Sequence, residues 1–350
     1  MNTIKTAICS FGMSGQVFHA PFIHAHPNFD LNAIVERHKE DSKALYPQAK
    51  LYTSVEAMLA DESIELVVVN TPIQTHFDYT RQALLAGKHV VVEKPFTVSA
   101  EQAKELIRIA EATNKLLTVY QNRRYDSDFL AVKKIIEGGS IGSVKEFQIR
   151  FDRFRPGIST KAHKENVLPG AGTLYDLGAH LIDQALVLFG WPNALFADDM
   201  AMREGSKVDD YFEVLLYYPT LRVRLISSSF ALADNYAYVL HGTQGSYLQQ
   251  RSDSQEKQLL KGIIPSLYNW IEPTTIPNAK LIIPNTAGEP QEELQIHQAG
   301  NYMNFYSDLS RALKGEGENP VLASQGLQTI QIIEAAKKSI SEKKVINLIA

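Results

Sequence analysis

The sequence predicts an α/β domain on a doubly wound parallel sheet, followed by an α+β domain with a mainly antiparallel, open sheet. Three observations carry that expectation. The chain has 350 residues, more than one hydrophobic core comfortably serves. Up to about residue 120, near-continuous β-branched runs alternate with helical patterns, the mark of strands buried on both faces. Beyond residue 122 the pattern changes, and in Val144–Phe151 apolar and polar residues alternate strictly, so one sheet face is buried and the other is polar. The expected division is therefore 1–122 and 123–350.

The first run, Thr6-Ala7-Ile8-Cys9, ends at a loop holding Gly12 and Gly15. Leu31–Val35, Ile64–Val69, His89–Val92 and Leu116–Val119 read as further strands. Between them, Tyr79–Ala86 reads as a helix stopped by Gly87, a residue suited to the left-handed position just past a helix end. Ser99 with Gln102 three residues on reads as a helix start of the capping-box kind. Further along, Phe129–Glu137 is a helix closed by Gly138-Gly139, and Val144–Phe151, Tyr211–Tyr218, Val223–Ser229 and Tyr236–Leu240 are strands. Residues 250–297, rich in Pro, Gln and Asn, carry no legible pattern, and helices near Tyr302–Leu313 and Gln325–Ser339 finish the chain.

Bulk composition narrows the function. A net charge of −4 and a pI near 6.2 leave no electrostatic footprint for nucleic acid, and no basic run suggests an anionic membrane. No apolar run approaches the roughly 20 residues a membrane span needs. The start, Met1-Asn2-Thr3-Ile4-Lys5, lacks the apolar stretch of a signal peptide, so a cytoplasmic protein is expected. The single cysteine, Cys9, is expected as a small buried thiol.

Two stretches carry chemistry. Ser10-Phe11-Gly12-Met13-Ser14-Gly15 fits the fingerprint G-x-G-x-x-G with serine in the first place. The middle glycine lets backbone approach a pyrophosphate, and the last lets helix and strand pack closely. Glu36 lies 21 residues past Gly15, where a carboxylate accepts from the ribose hydroxyls of NAD; Arg37 and His38 beside it suit the 2′-phosphate of NADP instead. The cofactor is expected to be NAD or NADP. The second stretch runs from Gly172 to Asp183. On a helix, Asp176 and His180 share a face at i, i+4, and a carboxylate beside an imidazole orients it for proton transfer. No second cluster of His or Cys completes a ligand set, so no metal is expected.

Together these pieces resemble the glucose–fructose oxidoreductase/inositol dehydrogenase superfamily, Gfo/Idh/MocA. The resemblance rests on Ser10–Gly15, Asn70-Thr71-Pro72 with His76, Glu93-Lys94-Pro95 and Gly172–Asp183. Asn122–Phe129 and Asp152–Pro156 are similar to a bacterial scyllo-inositol dehydrogenase-like subgroup. The resemblance implies a Rossmann domain holding NAD(P) through Phe11, Gly12, Met13, Ser14, Gly15, Glu36, Arg37, Asn70, Thr71, Pro72, His76, Glu93, Lys94 and Asn122. It implies Lys94 as the cation beside the substrate hydroxyl, His180 as general base and Asp176 as its orienting partner, with Arg153, Arg155 and Tyr302 on the substrate. The implied substrate is an inositol-like polyol or a sugar, and the implied assembly a homodimer or homotetramer. An aldose/ketose reductase-type sugar oxidoreductase and a catalytically silent NAD(P)-binding sensor are the alternatives.

Overall fold

The computed structural model describes residues 3–158, 165–268, 270–272 and 274–348. The chain divides into two compact units. Unit 1 comprises Met1–Asn122, Ser254–Glu272 and Asn301–Gln328; unit 2 comprises Arg123–Asp253, Pro273–Gly300 and Thr329–Ala350. Two later stretches thus belong with the first unit, although they lie beyond the 122/123 division.

Unit 1 holds a six-stranded sheet: β1 (Ile4–Ile8), β2 (Phe29–Val35), β3 (Lys50–Tyr52), β4 (Leu66–Val69), β5 (His89–Glu93) and β6 (Leu117–Tyr120). The strands are all parallel, in the order β3-β2-β1-β4-β5-β6. The order reverses between β1 and β4, so the crevice for a ligand opens past their carboxyl ends. Val67–Val69 and Val90–Val92 are fully buried, which is why those runs read as continuous rather than alternating. Ser99 accepts a hydrogen bond from the Gln102 amide and starts the helix Ala100–Ala112. Gly87 takes φ +74° after the helix His76–Leu85. Cys9 is buried, and burial pushes its thiol pKa far up, so it stays protonated and inert.

Unit 2 carries a nine-stranded sheet: β7 (Val144–Arg150), β8 (Ala194–Met200), β9 (Tyr211–Tyr217), β10 (Arg222–Ser228), β11 (Tyr236–Gly242), β12 (Ser246–Gln250), β13 (Ala279–Pro284), β14 (Pro290–Gln295) and β15 (Ile346–Asn347). Their order is β14-β13-β12-β11-β7-β10-β9-β8-β15. Every pairing is antiparallel except β7 with β10. The stretch 250–297, illegible in sequence, supplies β13, β14 and the helix Gln255–Leu260. No helix among the described residues is long and apolar enough to cross a membrane.

One buried histidine of unit 1 sets a pH dependence. His26 accepts from the Asn28 amide at Nδ1 (3.1 Å), which leaves Nε2–H to donate to Ser307 Oγ (3.3 Å). Burial, then Lys314, lowers its pKa from 6.5 to about 4. The unfolded chain therefore binds a proton that the folded chain refuses, and folding stability falls as pH drops from 6.5 towards 4. Thermal melts across that window are expected to show a midpoint that declines with acid; a flat midpoint contradicts the assignment.

Candidate active site

The carboxyl ends of β1, β2, β4, β5 and β6 and the segments just past them hold every residue that sequence assigned to the cofactor: Phe11–Gly15, Glu36, Arg37, Asn70, Thr71, Pro72, His76, Glu93, Lys94 and Asn122. Ser10 fills the first fingerprint place for a definite reason. Its hydroxyl accepts from the Gly12 amide (3.2 Å), and its carbonyl accepts from Asn70 Nδ2 (2.8 Å), so the loop is tied to β4. A Cβ at Gly15 would overlap the Ser10 carbonyl, so only glycine lets the next turn approach the strand here. Gly15–His19 winds as a wide π turn before the helix Ala20–Ala25. Phe11 is buried edge-on to Tyr46, while Met13 is exposed at the loop tip.

Glu93 organises this edge. Its Oε1 accepts from the Ser14 hydroxyl and from His19 Nε2 (2.9 Å), and Oε2 accepts from the Lys94 amide (3.1 Å). His19 is wholly buried, and its Nδ1 lies 2.7 Å from Tyr306 Oη. Burial pushes the Glu93 pKa up, but His19, Ser14 and Lys94 outweigh it, so the carboxyl is held below its ordinary value and stays ionised. Glu93 thereby ties the glycine loop to the strand end that presents half-buried Lys94. The Lys94–Pro95 peptide bond is cis.

Two cofactor candidates are occupied otherwise than expected. Glu36, placed by sequence against a ribose, accepts from the Asp41 amide (3.2 Å), the Ser42 amide (3.0 Å) and the Ser42 hydroxyl. The start of the short helix Asp41–Leu45 supplies those donors, and they draw the carboxylate into its own loop. His76, expected near the nicotinamide, is buried with Nδ1 at 2.9 Å from Pro95 O and Nε2 at 2.9 Å from Thr71 O. It braces the ends of β4 and β5. Burial lowers its pKa against the pull of those two carbonyls.

Other assigned positions differ in what they offer. Thr71 Oγ1 meets Thr75 Oγ1 at 2.7 Å and Pro72 is exposed. Asn122 is buried just past β6. Asn70 Oδ1 is buried and has no hydrogen-bond partner among the described residues. An orphaned acceptor beside a glycine cradle fits a dinucleotide, whose amide or hydroxyl groups would satisfy it. Tyr302, expected to reach substrate, is fully enclosed, with Phe18 and Phe22 rings each 6.4 Å away. Enclosure removes it from a ligand-facing role. The cleft of about 330 Å³ lined by Glu62, Glu65, Lys88, His89 and Lys115 lies at the amino ends of β4 and β5, the wrong edge for this chemistry.

In unit 2 the stretch Gly172–Asp183 forms two helices, Thr173–Asp176 and Gly178–Phe189, meeting at Leu177. Leu177 keeps helical angles, so Asp176 and His180 stay one turn apart. His180 is 4% exposed and Asp176 is half-buried. Asp183, on the same helix, is held by Arg124 through two bonds of 2.8 and 2.7 Å, which takes it out of any proton path. Arg153 lies past the end of β7 with its guanidinium carbon 5.3 Å from the Phe151 ring centre, and Arg155 is exposed. Asp152 pairs with Arg150 rather than with either.

Asp209, missed in the sequence, sets the start of the first helix: its carbonyl accepts from the Thr173 amide (2.9 Å) and Oδ2 from the Leu174 amide (2.7 Å). Gly172 has φ +95°, and a Cβ there would overlap the Asp209 carboxylate. Gly172→Ala is therefore expected to cost roughly 1–3 kcal/mol of stability, read as a lower denaturant midpoint; an unchanged midpoint would mean this turn relaxes freely. Among the described residues, no three His, Cys, Asp or Glu side chains gather as a metal site.

The description "Oxidoreductase family, NAD-binding Rossmann fold" matches residues 4–121, and "Oxidoreductase family, C-terminal alpha/beta domain" matches residues 133–348. The chain is 37% identical over 348 residues to the uncharacterized oxidoreductase YdgJ of Escherichia coli, covering 99% of both chains. It is 36% identical over 349 residues to scyllo-inositol 2-dehydrogenase (NADP(+)) IolW of Bacillus subtilis, covering 99% of this chain and 97% of that one. A solved structure from Bacteroides fragilis superposes with TM-score 0.89 at 43% identity, covering 99% of this chain and all of the other. With a glycine cradle on a 3-2-1-4-5-6 parallel sheet and a mainly antiparallel second unit, the chain belongs to the Gfo/Idh/MocA family of NAD(P)-binding oxidoreductases.

Proposed function

We propose that this oxidoreductase moves a hydride between the nicotinamide and a secondary hydroxyl of an inositol-like polyol or a sugar, or runs the reverse reduction of the ketone. The observation that carries the reading is the gathering of the glycine loop, Asn70, Glu93 and Lys94 at the ligand edge of the unit 1 sheet. The name of the Bacillus subtilis relative supports a cyclitol as substrate class. When bound, the nicotinamide supplies the hydride acceptor or donor. Lys94 hydrogen-bonds the reacting hydroxyl and offsets the negative charge that develops on its oxygen. His180 takes the hydroxyl proton, and Asp176 orients the imidazole. Buried at 4% exposure, His180 is shielded from bulk water. Arg153 and Arg155 bind further hydroxyls, Thr71, Pro72 and Asn122 flank the cofactor, and a homodimer or homotetramer belongs to the same reading.

The test is absorbance at the reduced-nicotinamide wavelength, with both dinucleotides and a panel of inositols and sugars. Turnover of at least one cyclitol or sugar is expected. Dinucleotide binding by fluorescence with no turnover across the panel would overturn the enzyme reading in favour of a sensor.

A further inference from the structure

Within unit 2, the helix that carries His180 is anchored one turn further along. Arg124, in the short turn Asn122–Tyr125, donates to Asp183 from Nε (2.8 Å) and from Nη2 (2.7 Å). The next residue on the helix, Gln184, donates from Nε2 to Arg123 O (2.9 Å) and accepts from Tyr238 Oη (3.1 Å). Both members of the ion pair are largely out of water, with side-chain exposures of 13% for Arg124 and 3% for Asp183. Burial works against the Arg124 charge, but Asp183 outweighs it and keeps the guanidinium ionised. An arginine suits the place because its planar fork meets both carboxylate oxygens at once, which a lysine cannot do.

His180 and Asp183 are three residues apart on one helix, so their side chains leave it on the same face, about 5–6 Å apart at Cβ. At that separation, in a water-poor setting, a bare carboxylate stabilises an imidazolium. A base that is already protonated takes no proton from a substrate. Asp176 is the carboxylate that the proposed reaction uses, and Asp183 adds a second negative charge on the same helical segment. We infer that Arg124 is a positioning residue: its two-bond pair with Asp183 fixes the turn that carries His180 and cancels a carboxylate the reaction does not use, so the imidazole stays unprotonated until the substrate supplies the proton. The inference rests on the reading above in taking His180 as the base.

Other charges around this helix have partners of their own. Asp209, at the start of the preceding helix, shares Lys337 with Asp199 (3.2 and 2.7 Å). Arg123 pairs with Asp126 (3.3 Å). Burial pushes the Tyr238 and Tyr175 hydroxyls above the ordinary tyrosine range, so both stay neutral. The buried side chains of β9 and β10, among them Phe212, Val214, Val223 and Leu225, are apolar. In the proposed reaction Lys94 adds a cation at the substrate, and it is common to every variant compared.

The experiment follows the His180 ring by NMR in the full chain with labelled histidine, across about pH 5–9, its signal assigned by its loss in His180→Gln. No substrate is needed. Arg124→Gln is expected to raise the titration midpoint by about one pH unit, because Asp183 then lacks its counter-ion. Whichever of the two groups holds the proton, the pair takes it up at higher pH. Asp183→Asn is expected to lower the midpoint by about as much, because the Arg124 cation then lacks its carboxylate. Carrying both substitutions together removes both charges and should return the midpoint to within about a third of a unit of the unaltered protein. This neutral pair and Asp183→Asn decide the matter even where Arg124→Gln alone fails to fold. Arg124→Lys keeps the charge without the fork, so it should hold the midpoint while lowering kcat. The acid limb of kcat/KM, measured with the best substrate of the panel, should move with the ring midpoint in each variant. Shifts of the same sign in the two single variants, or none in either, overturn the inference, since a helix that merely loosens moves both alike. Ring shifts of the expected signs with an unmoved kcat/KM limb, or with no turnover across the panel, overturn His180 as the base and leave the charge pairing standing.

Discussion

Alanine in place of His180 is expected to lower turnover by on the order of 10²-fold or more, with dinucleotide affinity changed far less. The imidazole is the proton acceptor of the proposed reaction, so its loss strikes the chemical step and spares ground-state binding of the cofactor. Lys94→Ala is expected to lose at least as much in rate, because it removes the cation that offsets charge on the reacting oxygen. Its effect on cofactor affinity should exceed that of His180→Ala, since Lys94 directly follows β5 at the ligand edge of the unit 1 sheet. Asp176→Asn should fall between the unaltered enzyme and His180→Ala and shift the pH profile of kcat, because it changes how the imidazole is held without removing it. Wild-type turnover in His180→Ala, measured with the best substrate of the panel, would refute the assignment of the base.

The second large effect is on stability. His19→Ala removes one of the donors that keep the Glu93 carboxylate ionised while mostly buried, at 13% side-chain exposure. Leaving a buried carboxylate short of one hydrogen-bond donor costs roughly 1–3 kcal/mol, visible as a shift in denaturant midpoint. Tyr306→Phe deletes only the hydroxyl 2.7 Å from His19 Nδ1, so about 1 kcal/mol is expected. Ser14 shares the Glu93 oxygen with His19. The glycine loop therefore loosens in His19→Ala, and NAD(P)H affinity should fall in parallel. A His19→Ala protein with unaltered midpoint would show that Glu93 finds other partners at no cost.

Much of this was legible in the sequence because it is local. The β-branched runs of unit 1, the Ser99 cap and the Gly87 stop depend on neighbours within a few residues, and the structure has each of them. The antiparallel strands of unit 2 showed by their alternation. What stayed hidden depends on distant partners. His19 gains its place from Glu93 and Tyr306, 74 and 287 residues away. Asp209 meets Leu174 across 35 residues. Glu36 was placed at the ribose by spacing, and spacing gives no sign of the Asp41 and Ser42 donors that its carboxylate meets. Tyr302 was offered to substrate for a similar reason: its helix was visible, its surrounding rings were not. Residues 250–297 defeated periodicity because short strands and one helix turn follow each other between prolines.

The make-up of unit 1 has a consequence for biosynthesis. β6 is the last strand of its sheet, and its outer side is covered from residues 319–326. Asn319 donates to Leu117 O (2.9 Å), Thr118 Oγ1 donates to Val321 O (2.8 Å), and Gly326 packs on Val119 and Phe96 so closely that a Cβ would collide. A growing chain makes β6 long before it makes that cover, 202 residues separating Asn319 from Leu117. At ordinary translation speeds the interval is roughly 10–40 s, during which β6 presents an open row of amides and carbonyls to any passing strand. The sheet of unit 1 thus waits for its cover across that whole stretch of synthesis, and in the interval its edge is most open to mispairing.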